Sequence, residues 1–145
     1  EDPVYFAMNY IKIISLDEGI VPFKMWDFQQ ELIEKFHKHR FNIAKLPRQT
    51  GKSTTCVSYL LHYVLFNDNV NIGILANKLS TARDLLGRLQ LAYEQLPMWM
   101  QQGIITYNKG SMELENGSKI GYRVTSEIHF IHSPSTTADL GVWGT

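Results

Sequence analysis

The sequence predicts an α/β fold: a mainly parallel sheet flanked by helices, followed by a C-terminal β-hairpin. Three observations predict it. Between residues 41 and 97, short apolar runs alternate with stretches of helical apolar spacing, the pattern of parallel strands joined by crossover helices. A Gly-Lys-Ser tripeptide, 51 to 53, sits at the first strand-to-helix junction. Asn116-Gly117 separates two short β-rich segments, a strong hairpin signal because both turn positions favour positive φ.

Each element follows from local pattern. Residues 1 to 25 have no clean period, and "YFAMNYIKII" fits either a helix or the approach to a strand. The proline of "IVPF" argues against a central strand there. Asp27 is a candidate helix cap, with Gln30 three residues on as in a capping box. Phe28, Leu32, Ile33 and Phe36 then share one helical face. "FNIAKL", 41 to 46, reads as a buried strand, and Pro47 pushes Leu46 towards extended geometry. From Lys52 the residues Cys56, Val57, Leu60, Leu61, Val64 and Leu65 form a wide apolar stripe. "NIGILAN", 71 to 77, reads as a second buried strand. Ala82, Leu85, Leu86, Leu89, Tyr93 and Leu96 line another helix that Pro97 closes. "GIITYN" and "SMELENGSKIGY" are short strands, and the 22 residues from Val124 onwards show no sustained period.

Composition bounds the possibilities. A chain of 145 residues with 44% apolar and 19% charged residues suits one soluble globular domain with a real core. Lys plus Arg (14) balances Asp plus Glu (14), so a DNA partner would need a local patch. Cys56 is the single cysteine, which excludes an intramolecular disulfide and favours a reducing compartment. The most apolar stretch, 56 to 66, is too short and interrupted to span a membrane. The chain starts with Glu1 rather than Met, which points to a piece of something longer.

"LPRQTGKST", 46 to 54, carries the chemistry. The phosphate-loop pattern is Gly, four residues, Gly-Lys-Ser/Thr; Leu46 stands where the first glycine belongs. In such a loop, backbone N–H groups and the helix dipole face the phosphates. Gly51 removes a side-chain clash, Lys52 can reach the β- and γ-phosphates, and the Ser53 hydroxyl can ligate Mg²⁺. Arg48 lies where a guanidinium could stabilise charge at a γ-phosphate. The Gln29 amide offers a donor and an acceptor that match an adenine edge. The competing reading is an ordinary strand-to-helix turn with a solvated lysine.

Together these residues resemble the ATPase domain of the large terminase subunit, the DNA-packaging motor of tailed bacteriophages of the T-even kind. The similarity runs through "EDPVYFAMNY", "WDFQQELIEKF", "LPRQTGKST", "NIGILANK" and "LPMWMQQGIITYNKGSMELENGSKIG", roughly residues 1 to 121. A loop without the first glycine is itself a habit of that family. The resemblance implies a P-loop NTPase-type fold, truncated, with ATP and Mg²⁺ as cofactors. It implies Gln29 as the adenine-sensing glutamine and Arg48 as an arginine acting in cis, with Arg48 and Lys52 catalytic. Gln49, Thr50, Gly51, Lys52, Ser53 and Thr54 would line the phosphates, Ser53 also holding the metal. Implied partners are double-stranded DNA, the portal and the small terminase subunit, and the implied location is the host cytoplasm, transiently at the procapsid.

Two departures stand out. Pro47 replaces a small residue and removes one N–H. The family's strand of four apolar residues followed by Asp-Glu does not occur: Ile128 to Ile131 is followed by His132 and Ser133. The expectation is therefore a partial ATPase domain over 1–121, a divergent or poorly ordered tail over 122–145, and nucleotide binding with weak hydrolysis. The alternatives are a helicase-like translocase ATPase domain and a non-catalytic nucleotide-binding fragment.

Other clusters carry less. "EKFHKHR", 34 to 40, suits a helix C-terminus, where cations are favoured. His37 with His39, and His129 with His132, lack further ligands at supporting spacing. Glu113 and Glu115 are read as solvent-facing, Cys56 as a core residue, and Trp26, Trp99 and Trp143 as packing groups.

Overall fold

The computed structural model describes residues 2–15, 17–48, 50–76 and 78–124. The segment left open by the sequence forms a helix and a ribbon. Helix α1 (Pro3–Tyr10) starts where the Asp2 carboxylate accepts the Val4 N–H at 2.9 Å, with Pro3 in the first turn. It buries Phe6 and Ala7. Strands β1 (Lys12–Ser15) and β2 (Gly19–Pro22) pair antiparallel as a sheet of their own. Pro22 ends β2 on that narrow ribbon, consistent with its exclusion from a central strand.

Helix α2 (Asp27–Lys38) begins one residue earlier than the sequence indicates. Trp26 is the cap residue, and Gln29 rather than Gln30 closes the reciprocal half of the box, its Oε1 accepting the Trp26 N–H at 2.9 Å. Ile33 is fully buried beneath it. The surface pairs Glu31–Lys35 (2.6 Å) and Glu34–Lys38 (3.8 Å) follow the i,i+4 rule.

The predicted strand at 41–46 does not form. That segment runs as irregular chain, with Phe41 exposed and Ile43 102% exposed. A strand is stabilised by a neighbouring ladder and a half-buried face, not by its letters alone. The segment 41–46 pairs with no described strand, although one edge of β3 is open among the described residues, and its apolar side chains have no half-buried face.

Helix α3 (Lys52–Phe66), strand β3 (Asn71–Ala76) and helix α4 (Leu79–Glu94) follow as expected. Strands β4 (Ile104–Tyr107), β5 (Ser111–Leu114) and β6 (Lys119–Val124) complete a four-stranded sheet ordered β3-β6-β5-β4. The fold is α/β, but the sheet is mixed: β3 and β6 are parallel, and the other two pairings are antiparallel. This corrects the mainly parallel expectation. Short turns can join only antiparallel neighbours, and such turns connect β4, β5 and β6.

Burial is also one-sided. Ile72, Ile74, Met112, Leu114 and Ile120 point into the core, where α4 packs on β3 and β6. Asn71, Gly73 and Lys119 on the opposite face are exposed, so β3 is not the doubly buried strand its letters suggest. Helices α1 to α4 and the sheet share one apolar cluster. Strand β6 runs across the boundary placed at residue 121. The tail expectation for 122–145 lies outside the described residues from 125 onwards.

The Asn-Gly turn forms, in a different register of φ. Gly117 has φ 82°, while Asn116 does not enter the left-handed region. Gly117 N–H donates to the Leu114 carbonyl (3.0 Å) and Leu114 N–H to the Ser118 carbonyl (2.9 Å), a three-residue loop ending in a left-handed glycine. Asn116 spends its side chain elsewhere. Its Nδ2 donates to the Val64 carbonyl (2.8 Å) and the Asn67 carbonyl (3.2 Å), while Ser118 Oγ donates to the same Asn67 carbonyl (2.8 Å). Gln102 Nε2 takes the Leu65 carbonyl at 2.9 Å. The carbonyls of Val64, Leu65 and Asn67 at the C-terminal end of α3 are thus covered by side chains from beyond α4. Asn116→Ala should lower unfolding free energy by about 1–3 kcal/mol, the cost of an uncovered acceptor, measured as a shift in urea midpoint at unchanged m-value.

His62 lies in α3 at 4% exposure, packed between the rings of Phe6 (5.3 Å) and Phe66 (4.9 Å). Among the described residues neither ring nitrogen has a hydrogen-bond partner. Burial first, then the nearby His37, lowers its pKa from 6.5 to about 4, against an opposing pull from Asp2. The unfolded chain therefore binds a proton that the folded chain refuses between those values. Stability should fall as pH drops from 6.5 towards 4, by about 3 kcal/mol in total. Urea unfolding across that range checks this, and His62→Leu should flatten the profile.

Candidate phosphate-binding loop

The loop begins with the backbone. Gly51 is the N-cap of α3 at φ 71° and ψ 17°, left-handed geometry that a residue with a Cβ adopts only under strain. The first intrahelical bond runs from the Thr55 N–H to the Gly51 carbonyl at 3.0 Å. The helix therefore offers no internal partner to the N–H groups of Lys52, Ser53 and Thr54. These three donors and the positive end of a fifteen-residue helix face the same space.

Side chains reinforce the bend. Thr50 Oγ1 donates to the Pro47 carbonyl at 3.0 Å, closing the loop on itself. Thr55 Oγ1 donates to the Gly51 carbonyl at 2.9 Å, so that hydroxyl is committed to the helix. Pro47 thus lacks an N–H but supplies an acceptor within the loop.

Gln29 is the residue that the fold brings to the loop from afar. It is buried, 5% exposed, in the first turn of α2. Its Nε2 donates to the Thr50 carbonyl at 3.3 Å. A Cβ placed on Gly51 would stand 2.6 Å from that same nitrogen. Gly51 is therefore required by its φ, and a side chain there would also displace the Gln29 amide.

The structure places the expected residues in two groups. Gln29, Thr50 and Gly51 are in direct contact, and Lys52, Ser53 and Thr54 form the half-buried first turn of α3. Arg48 is exposed in the preceding turn. Gln49 lies outside the described residues. Among the described residues Arg48 and Lys52 form no ion pair, which leaves both cations available to an anion. The Cys56 thiol is half-buried rather than core, and burial, opposed by Lys52, pushes its pKa up to about 11. It stays a thiol at neutral pH and is a poor nucleophile.

The remaining clusters resolve simply. Among the described residues no group of three His, Cys, Asp or Glu is placed to hold a metal. Glu113 pairs with Lys119 at 3.2 Å across β5 and β6. The Glu115 carboxylate lies over Gly103, whose carbonyl accepts the Glu115 N–H at 2.8 Å. Trp26 and Trp99, expected to be packing groups, are 65% and 73% exposed and touch Phe28 and Tyr10 by their edges. His129, His132 and Trp143 lie outside the described residues, and no described helix is long and apolar enough to cross a membrane. The residues that sequence reasoning missed are His62 and the Asn116–Ser118 clamp; the clamp's only local sign was the turn itself.

Gly51→Ala should destabilise the fold by about 2 kcal/mol, from left-handed strain and displacement of Gln29, with thermal unfolding as the measurement. No protein-family model matches the chain.

Proposed function

We propose that the loop from Pro47 to Thr54 binds the phosphates of ATP, and that the chain is the nucleotide-binding part of an ATPase motor that packages viral DNA. One observation carries the reading. A left-handed glycine stands directly before Lys52 and Ser53 at the N-terminus of a long buried helix, the arrangement in which backbone amides converge on an anion.

Each residue has a part in this reading. The amides of Lys52, Ser53 and Thr54 cradle phosphate oxygens, with Gln49 and Thr50 completing the rim. Lys52 supplies a mobile cation towards the β- and γ-phosphates, and Arg48 a planar cation where charge builds during transfer. The Ser53 hydroxyl is the protein's ligand for Mg²⁺, a metal that keeps most of its shell as water and phosphate oxygens and needs few protein ligands. Bound Mg²⁺ would neutralise charge on the phosphates.

The finer fold reading, a truncated P-loop NTPase-type domain, rests on the same loop and helix. Partners such as double-stranded DNA, a portal and a small terminase subunit, and a place in the host cytoplasm at the procapsid, come from the resemblance alone. Binding is the activity that the chain's own residues support. Hydrolysis calls for a carboxylate to orient water, and the sequence has no Asp-Glu strand to provide it.

Titration calorimetry with Mg-ATP tests the proposal. The wild-type chain should bind, and Lys52→Ala should lose measurable affinity. Equal affinity in the two proteins would remove the loop from nucleotide binding.

A further inference from the structure

The contacts of Gln29 describe a brace better than a sensor. A glutamine amide has two N–H groups and two oxygen lone pairs. Here Oε1 accepts the Trp26 N–H at 2.9 Å, which fixes the amide at the start of α2. Nε2 donates to the Thr50 carbonyl, twenty-one residues away in sequence, at 3.3 Å. The same nitrogen fills the space beside Gly51 that a Cβ would take. Thr50 is thereby held from two sides, its carbonyl by Gln29 and its hydroxyl by Pro47. At 5% exposure the amide could turn to a nucleobase only by leaving the Trp26 N–H and the Thr50 carbonyl without it.

We propose that Gln29 is a positioning residue of the phosphate loop, and that its amide, anchored at the start of α2, holds Thr50 and Gly51 in the bend that opens α3. Its effect on ligands rests on the nucleotide reading above. A brace on the cradle acts on whatever the cradle holds. Gln29 therefore sets affinity for the phosphate chain and leaves discrimination between bases untouched, unlike the adenine contact implied by the resemblance.

Two variants separate brace from fold. Gln29→Glu keeps an oxygen for the Trp26 N–H and loses the donor to Thr50. Gln29→Met keeps the volume, adds no charge and loses both bonds. In the ligand-free chain, hydrogen exchange at the Thr55 amide, which donates to the Gly51 carbonyl, should speed up about tenfold in Gln29→Glu, the scale of one lost hydrogen bond, with α2 amides beyond residue 30 unchanged. By calorimetry in Mg²⁺, Gln29→Met should lose the same factor, about tenfold, for ATP, GTP and inorganic tripolyphosphate. Unchanged exchange at the Thr55 amide would overturn the brace, as would a loss confined to ATP. If wild type and Lys52→Ala bind all three ligands alike, the nucleotide reading falls, and the exchange measurement alone still decides the brace.

Discussion

Helix α3 is secured at both ends by side chains that reach it from distant parts of the chain, and the rest of the molecule is arranged around that fact. An α-helix leaves four N–H groups and four carbonyls unsatisfied at its ends, and α3 is too buried to give them all to water. At its C-terminus Gln102, Asn116 and Ser118 meet the carbonyls of Leu65, Val64 and Asn67. At its N-terminus Gln29 secures the chain entering the helix, at Thr50. What remains unmet by the helix is the set of N–H groups at residues 52 to 54. The candidate site lies there because the fold has satisfied the polar groups around it.

That arrangement explains the unusual division of labour. The bend is built from neutral groups: an amide, a hydroxyl, two carbonyls and a glycine. The charges, Arg48 and Lys52, take no part in ion pairs within the described residues. A neutral scaffold does not compete with an anion for those cations, so the potential at the helix start is left undiminished.

The sequence was most readable where local rules suffice. Helices α2, α3 and α4 follow from apolar spacing, and the Lys52 start follows from the glycine before it. The Asn116-Gly117 turn was visible, but the reach of Asn116 to Val64 spans 52 residues and leaves no local trace. At 41–46 the apolar letters specify only a tendency, and with Phe41 and Ile43 turned to solvent the segment has no buried face to hold it as a strand. The parallel sheet was overcounted for the same reason, since pairing direction is set by which strands meet and how tightly they are joined. Gln29 stands out by its position, but its contacts come from packing: its Oε1 accepts the Trp26 N–H at the start of α2 and its Nε2 donates to the Thr50 carbonyl.

The outer edge of β3 has a further consequence. Among the described residues that edge meets no strand. Folded sheets protect such rims with lysine, proline or a bulge, and "NIGILA" holds neither lysine nor proline. The irregular segment 41–46 also displays Phe41 and Ile43 to solvent. Among the described residues, that edge therefore offers unpaired backbone groups on which a second strand could add, a route to association that the balanced net charge does nothing to oppose.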